Sequence, residues 1–305
     1  MMVSVIIPYY NKINYIFDTL DSLKVQTFKN FEVIIVDDGS DEKLENFVNL
    51  DDYDFSLRII TQANKGLSGA RNTGLLNSNG LLISFLDADD IWAPSKLDVE
   101  VNYMSNFDFV YCNYKIFADN TKNLKANSNE YKSDNLGIDL LKGNCIAGSA
   151  SSVMISRMLY NKVGFFNEDL IYAEDWDYWL RCFQVSSQFK YINEPLVYIR
   201  SNLFNGGFVN NHEFKFSVSE KMNSVNLIFD NLLGAKLDNS SFDSSDLLLY
   251  KSLHNCSFGF YNGIFFTNYF NINIEFLLGL KFKLIVKFNI LITKLFINRV
   301  ISRIF

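Results

Sequence analysis

The sequence predicts an α/β fold, a mostly parallel sheet flanked by helices, with a helical appendage at its C-terminal end. Three observations predict it. Short apolar runs recur at residues 3–7, 31–36 and 81–86, each ending in a polar turn, as strands buried on both faces do. Between the first two, Ile13, Ile16, Leu20 and Leu23 recur at helical spacing, which makes a βαβ unit. From about residue 214 onward the pattern becomes helical and aromatic.

Taken in order, the first strand stops at Pro8, and Asn11 or Asn14 is placed to cap the helix after it. The second strand runs into Asp37-Asp38-Gly39-Ser40. Residues 58–60 make a third strand, 70–77 a short helix, and 81–86 a fourth strand that stops at Asp87-Ala88-Asp89-Asp90. Residues 118–135 are polar and Asn-rich with no apolar period, so a loop or mobile lid is expected. Residues 149–155 read as a further strand, and EDWDYWL within 171–183 opens a helix. Ser244 or Asp246 is placed to cap a long helix through 247–269. The expected division is 1–213 and 214–305.

With 49% hydrophobic and 20% charged residues, and 29 Phe beside 16 Tyr, the chain is not disordered. Its net charge is −6, unevenly spread. Residues 281–305 carry Lys281, Lys283, Lys287, Lys294, Arg299 and Arg303 and no acid; without those six, 22 basic residues face 34 acidic ones. An acidic body lacks the broad basic patch that a nucleic acid needs. Lys283, Lys287, Lys294, Asn298 and Ser302 form a polar stripe at helical spacing in an otherwise apolar tail, so 271–305 is expected to lie on an anionic membrane surface. No uncharged run reaches the roughly 18–20 residues of a bilayer span, and the N-terminus has no export signal. The expected location is the cytoplasm, peripheral at the inner face of the cell membrane. Cys112, Cys145, Cys182 and Cys256 have no C-x-x-C spacing, which leaves no readable zinc or redox site.

In open α/β sheets ligands sit beyond the carboxyl ends of the strands, where Tyr10, Asp38 and Asp87 fall. Asp87 and Asp89, one residue apart in a turn, can both approach one hard divalent cation, with waters and phosphate oxygens completing its shell. Alone, such a pair reads equally as a solvated acidic turn. Asp38 can accept a hydrogen bond from a base or ribose, or serve an ordinary βα turn. Tyr10 can stack on a nucleobase or pack in the core. Asn64 and Arg71 belong to a Gly-containing loop leading into a helix, with Arg71 able to pair bidentately with phosphate. The segment is neither a P-loop nor G-x-G-x-x-G. Glu174-Asp175-Trp176 offers a carboxylate beside an indole on which a sugar can stack, or simply an acidic helix N-terminus. His212 and His254 are the two histidines.

Read together, VSVIIPYYN, FEVIIVDDGS, GLSGARNTG, LISFLDADDIW and AEDWDYW, in this order, resemble the inverting family-2 glycosyltransferases with the Rossmann-like GT-A fold, over about residues 3–200. The resemblance implies transfer of one sugar from a nucleotide-diphosphate donor, UDP-linked by expectation, to a hydroxyl of a glycan acceptor. It implies that Pro8, Tyr10, Asn11, Asp38, Asn64, Arg71, Asp87 and Ala88 meet the nucleotide. Asp89, with Asp87, would hold Mn²⁺ or Mg²⁺; His212, on residue type alone, is either a structural histidine or the group that completes that shell. Asp175 would be the general base, with Glu174 and Trp176 at the acceptor. The processive Q-x-x-R-W motif is absent, and Tyr198-Ile199-Arg200-Ser201-Asn202 matches the family's R-x-H segment only in part. By the same analogy the acceptor is lipid-linked and the process is O-antigen or capsule assembly. The competing readings are a catalytically silent nucleotide-sugar-binding or scaffold protein, and a sugar-nucleotide pyrophosphorylase. The second would need a Gly-rich loop where Pro8-Tyr9-Tyr10-Asn11 stands.

Overall fold

The computed structural model describes residues 2–118, 121–126, 135–146, 149–200, 202–204, 207–209, 217–234 and 242–261. In chain order the elements are β1 (Val3–Tyr9), α1 (Ile13–Lys24), β2 (Phe31–Asp38), β3 (Ser56–Gln62), α2 (Gly66–Leu76), β4 (Leu82–Phe85), β5 (Ile91–Trp92), α3 (Lys96–Tyr103), β6 (Phe109–Ala118), β7 (Thr121–Ala126), α4 (Leu136–Lys142), β8 (Val153–Ser156), α5 (Arg157–Val163), α6 (Glu174–Val185), β9 (Phe189–Arg200), β10 (Asn202–Phe204), β11 (Gly207–Val209), α7 (Val218–Gly234) and α8 (Ser244–Tyr261). The chain divides into two compact units, Met1–Tyr250 and Lys251–Phe305.

The main sheet runs β3-β2-β1-β4-β8-β6-β9-β5, with β7 paired to β6. Strands β3, β2, β1 and β4 are parallel neighbours, and β6 pairs β9 in parallel. Strand β8 is inserted antiparallel between β4 and β6. Every residue of β1 and β2 is buried, because alternate side chains serve opposite faces. Val3, Val5, Ile7, Val33 and Ile35 join Ile16, Leu20 and Leu23 of α1 in one core; Ile34 and Val36 meet Ala70 of α2 in another. On that second side the packing is close: a Cβ on Gly74 would lie 2.3 Å from Ile6 Cγ2, so a larger residue there would push α2 off the sheet.

The chain winds outward from β1 through β2 to β3, then returns past β1 to form β4. That reversal makes a topological switch point between β1 and β4, where the connections diverge and leave a crevice. β4 pairs β1 only as far as Phe85 opposite Ile6. Pro8 lies beyond that last pair, where its missing N–H breaks no ladder bond to β4.

Three expectations change. Neither Asn11 nor Asn14 caps α1: Lys12 is at the N-cap with no side-chain bond, and Asn11, at φ 50°, instead exchanges two 3.0 Å hydrogen bonds with Asp41. Within the segment expected to be a loop or lid, residues 121–126 form β7 against β6; strand pairing supplies order that no apolar period announced. The cap of α8 is Asp243, which accepts from the Ser245 N–H at 3.0 Å, while Ser244 is already helical. Helix α7 begins with a reciprocal box: Ser217 Oγ accepts the Glu220 N–H, and Glu220 Oε2 accepts the Ser217 N–H at 2.7 Å. His212 and the tail 271–305 lie outside the described residues. Cys112 and Cys182 are buried, and burial raises both thiols far above the reactive range. Among the described residues no helix is long and apolar enough to cross a membrane.

Candidate active site

The two carboxylates at the end of β2 do different things. Asp37 is fully buried, with Oδ1 accepting the Ser40 N–H at 3.0 Å and Oδ2 the Leu44 N–H at 2.9 Å. It holds the turn. Asp38 uses only Oδ1, which accepts from Gln62 Nε2 at 2.6 Å and the Lys65 N–H at 2.9 Å. Its Oδ2 has no hydrogen bond within the described residues. Gly39 sits at φ 77°, where a Cβ would lie 2.8 Å from the Asn64 nitrogen, so the β2 turn and the Asn64 loop approach each other through a glycine. Asn64 Oδ1 accepts the Gly66 N–H at 3.1 Å and shapes the entry to α2. Tyr10, just past β1, is 49% exposed.

The turn after β4 is anchored through its fourth residue. Asp90 is buried; its Oδ2 accepts from Ser151 Oγ at 2.6 Å and its Oδ1 from the Arg200 N–H at 3.1 Å, while its carbonyl accepts from Thr19 Oγ1 at 2.8 Å. Burial, with Asp87 and Asp89 adding to it, raises the Asp90 carboxyl well above the usual range. Ser151 Oγ also accepts the Asp87 N–H at 3.0 Å, and Arg200 Nε donates to the Asp89 carbonyl at 2.9 Å. Ala88 is packed inside. These bonds leave the Asp87 and Asp89 side chains directed outward, each 25% exposed and each paired with a cation. Arg71 Nη2 reaches Asp87 Oδ1 at 3.1 Å, and Lys12 Nζ reaches Asp89 Oδ2 at 2.5 Å.

Arg71 connects this turn to α6. Its side chain is 2% exposed, it lies 5.4 Å over the Phe166 ring, and its Nη1 donates to Glu174 Oε1 at 2.9 Å. The next residue, Asp175, is half-buried. Its Oδ1 accepts the Trp176 N–H at 2.7 Å and its Oδ2 accepts from Asn144 Nδ2 at 3.0 Å. Burial, reinforced by Glu174 and opposed by Arg71 and the Trp176 N–H, pushes its carboxyl up to about 7, with Asp87 adding a smaller rise. Such a group can both take and release a proton near neutrality. Ala173, the N-cap of α6, is held at φ 60° and ψ 34°, a left-handed backbone rare for a residue with a Cβ. From that start Glu174 reaches Arg71 while Asp175 turns to Asn144 and the Trp176 N–H.

The structure thus brings Asp87, Arg71, Glu174 and Asp175 into one electrostatic group, with Asp89 on the same turn as Asp87 and Lys12 reaching it from the start of α1. It bears on three expected roles. Arg71 is not open for bidentate phosphate pairing, since Asp87 and Glu174 occupy both its terminal nitrogens. Glu174 spends Oε1 on Arg71. Trp176 is 4% exposed, donates its Nε1–H to the Leu140 carbonyl at 2.7 Å and packs edge-on to Phe229, so its indole belongs to the core. Lys12, Gln62, Asp90, Asn144, Ser151 and Arg200 were not singled out as site residues. Lys12 directly follows the PYYN turn, and Arg200 stands in the partial R-x-H match; both signals were readable.

Asp87 and Asp89 offer the hard oxygen donors that Mg²⁺ and Mn²⁺ take, and the ammonium on Asp89 shows that a positive charge is accommodated there. The residues fit a divalent ion. Among the described residues no group of three or more His, Cys, Asp or Glu is gathered to hold one, so two carboxylates would share it with phosphate oxygens and water.

Residues 4–164, more than half of the chain, match the model of glycosyl transferase family 2. The chain belongs to that family. It is 34% identical over 194 residues to an uncharacterized glycosyltransferase of Rickettsia prowazekii, covering 61% of this chain and 60% of that protein. It is 35% identical over 182 residues to the Escherichia coli UDP-Glc:alpha-D-GlcNAc-diphosphoundecaprenol beta-1,3-glucosyltransferase WfgD, covering 59% and 68%. In structure it is similar to residues 1–349 of S. aureus TarS in complex with UDP-GlcNAc, with TM-score 0.66, 19% identity and 90% of this chain and 77% of that one covered. A mannosyltransferase of Pyrobaculum calidifontis in complex with GDP-Man and Mn²⁺ gives 0.56, 17%, 86% and 75%. These similarities establish the GT-A fold of a family-2 glycosyltransferase.

Proposed function

We propose that the protein is an inverting glycosyltransferase that moves one sugar from a UDP-linked donor to a hydroxyl of a lipid-linked glycan in cell-surface polysaccharide assembly. The observation that carries this is the convergence, through Arg71, of the outward Asp87–Asp89 pair with Asp175, a carboxyl raised to about 7. The donor and acceptor classes draw on the E. coli relative, a UDP-Glc transferase acting on a diphosphoundecaprenol-linked sugar, and on the UDP-GlcNAc held by S. aureus TarS.

On this reading Tyr10 stacks on the nucleobase beyond β1, with Pro8 fixing the strand end below it. Asp38, immobilised through Oδ1, presents Oδ2 to a base N–H or ribose hydroxyl, and Asn11 and Asn64 hold the turns on either side. Asp87 and Asp89 would hold Mn²⁺ or Mg²⁺, which offsets the charge that builds on the departing diphosphate. Asp175 takes the acceptor hydroxyl's proton as the oxygen attacks the anomeric carbon on the face opposite the diphosphate, so configuration inverts in one displacement. Asn144 and the Trp176 N–H orient the Asp175 carboxylate for that transfer. On the same reading the catalytic part is 1–213, and 271–305 meets the inner face of the cell membrane, where a lipid-linked acceptor resides.

The test is transfer from UDP-glucose, UDP-GlcNAc and GDP-mannose to a diphosphoundecaprenol-linked sugar with Mn²⁺, read by mass spectrometry and by NMR of the new linkage. A β-linked product from an α-linked UDP-sugar is expected, with EDTA abolishing its formation. Retained configuration, or no transfer from any donor, overturns the reading.

A further inference from the structure

Both carboxylates of the Asp87–Asp89 pair are already neutralised by the protein, but the two cations differ in kind. Arg71 is buried, held at its other end by Glu174 and packed over Phe166; it has nowhere to go. Lys12 is 42% exposed and stands at the N-cap of α1, and its Nζ passes 5.6 Å from the Tyr15 ring centre on its way to Asp89. A flexible four-carbon stem at the surface can change partner at little cost.

We propose that Lys12 is an exchangeable counter-cation: it occupies Asp89 while the site is empty, yields that carboxylate to a divalent ion, and moves to the donor's diphosphate. The proposal rests on the donor reading above. An ammonium and a divalent ion cannot share one carboxylate oxygen, because positive charges a few ångströms apart repel, so ion binding alone must displace Lys12 with nothing to receive it. A diphosphate supplies the missing anion within reach of the Tyr10–Lys12 turn. Metal and nucleotide therefore assist each other, and linkage makes that assistance reciprocal.

The consequence is a pair of opposite effects in one variant. Lys12→Met keeps the stem and removes the charge. Mn²⁺ alone, followed by the electron paramagnetic resonance of the free ion, is expected to bind this variant tighter than wild type by up to about fivefold, the range of an exposed ion pair. The gain in Mn²⁺ affinity on adding UDP is expected to shrink by at least the same factor. Lys12→Arg is expected to restore both wild-type values, and unchanged thermal unfolding of each variant checks that the fold is kept. A merely structural lysine would loosen Mn²⁺ binding with and without UDP. If Lys12→Met binds Mn²⁺ alone no tighter than wild type, or keeps the full UDP effect, the counter-cation role is overturned while the donor reading stands. If wild type binds no Mn²⁺ even with UDP, both are overturned.

Discussion

Arg71 and Glu174, 103 residues apart in the chain, are joined by a 2.9 Å hydrogen bond between guanidinium and carboxylate, and the same guanidinium holds Asp87 at 3.1 Å. One buried cation therefore sets the spacing between the acidic turn after β4 and the start of α6. Removing it would leave two partly buried carboxylates facing each other with nothing between. Arg71→Met is expected to cost about 3 kcal/mol, the lower end for a buried pair broken from one side because both partners retain some solvent contact. Urea unfolding measures it. Adding Glu174→Gln to that variant should recover part of the loss, and a double variant no more stable than Arg71→Met would deny the coupling.

Asp175 predicts a pH profile. Its carboxyl is raised to about 7 from a usual 3.8, by burial first, so the ionised base is present only above about pH 7. The rate should fall about tenfold per unit below that. For stability the sign is opposite to that of a salt-bridged acid: the folded state keeps the proton between about 4 and 7, so this residue's contribution declines as pH rises through that window. Asp175→Asn should lower kcat by about 10²–10⁴ with UDP affinity retained, and flatten the stability profile. A variant that still turns over with the wild-type profile would remove Asp175 from the chemistry.

The neighbours Asp37 and Asp38 should separate cleanly. Asp37→Ala removes a fully buried carboxylate and strands the Leu44 N–H in the core and the Ser40 N–H in a partly buried turn, and should cost about 1–3 kcal/mol. Asp38→Asn keeps the size of the side chain, so it should change melting temperature little. It is expected to weaken nucleotide binding instead, since the oxygen not bonded within the described residues is the one offered to ligand. Calorimetry with UDP distinguishes the two; equal loss of affinity in both variants would contradict the assignment.

How much of this was legible depends on the range of the interaction. The β1, β2 and β4 runs declare themselves by continuous apolar residues, and the turns that end them carry Tyr10, Asp38 and Asp87 to the crevice that the strand order creates. Helix α6 was readable from EDWDYWL. What escaped was set by contacts distant in sequence. An arginine in a Gly-containing loop looks solvent-facing until α6 packs over it; an indole beside two acids looks available until Leu140 and Phe229 cover it. Strand β7 has no periodic signal because its order comes from pairing with β6, and β8's antiparallel direction is invisible in four apolar residues.

Lys96 and Glu100 form a 2.6 Å ion pair one turn apart on α3 with neither side chain exposed, the ammonium lying 3.9 Å over the Trp92 ring and 3.5 Å from Ser84 Oγ. Apart from Lys96, the buried Cys112 thiol is the one side chain that meets the Glu100 carboxylate among the described residues. Desolvation of both charges offsets most of their attraction, so replacing the pair by Lys96→Met with Glu100→Leu should be neutral or stabilising. Lys96→Met alone should cost about 3–5 kcal/mol, because it leaves one buried carboxylate unpaired. That loss has a pH signature. Burial already raises the Glu100 carboxyl above its usual 4.5 despite Lys96, and without the ammonium it must rise further. The folded single variant then holds a proton the unfolded chain releases, so its stability is best in acid and falls as pH rises above about 4.5. The double variant has no such group and should lack that slope. Unfolding free energies at pH 5 and pH 8 for both variants decide it: a single variant equally stable at the two values would mean that water or another cation reaches Glu100, and that the pair is not sealed in the core.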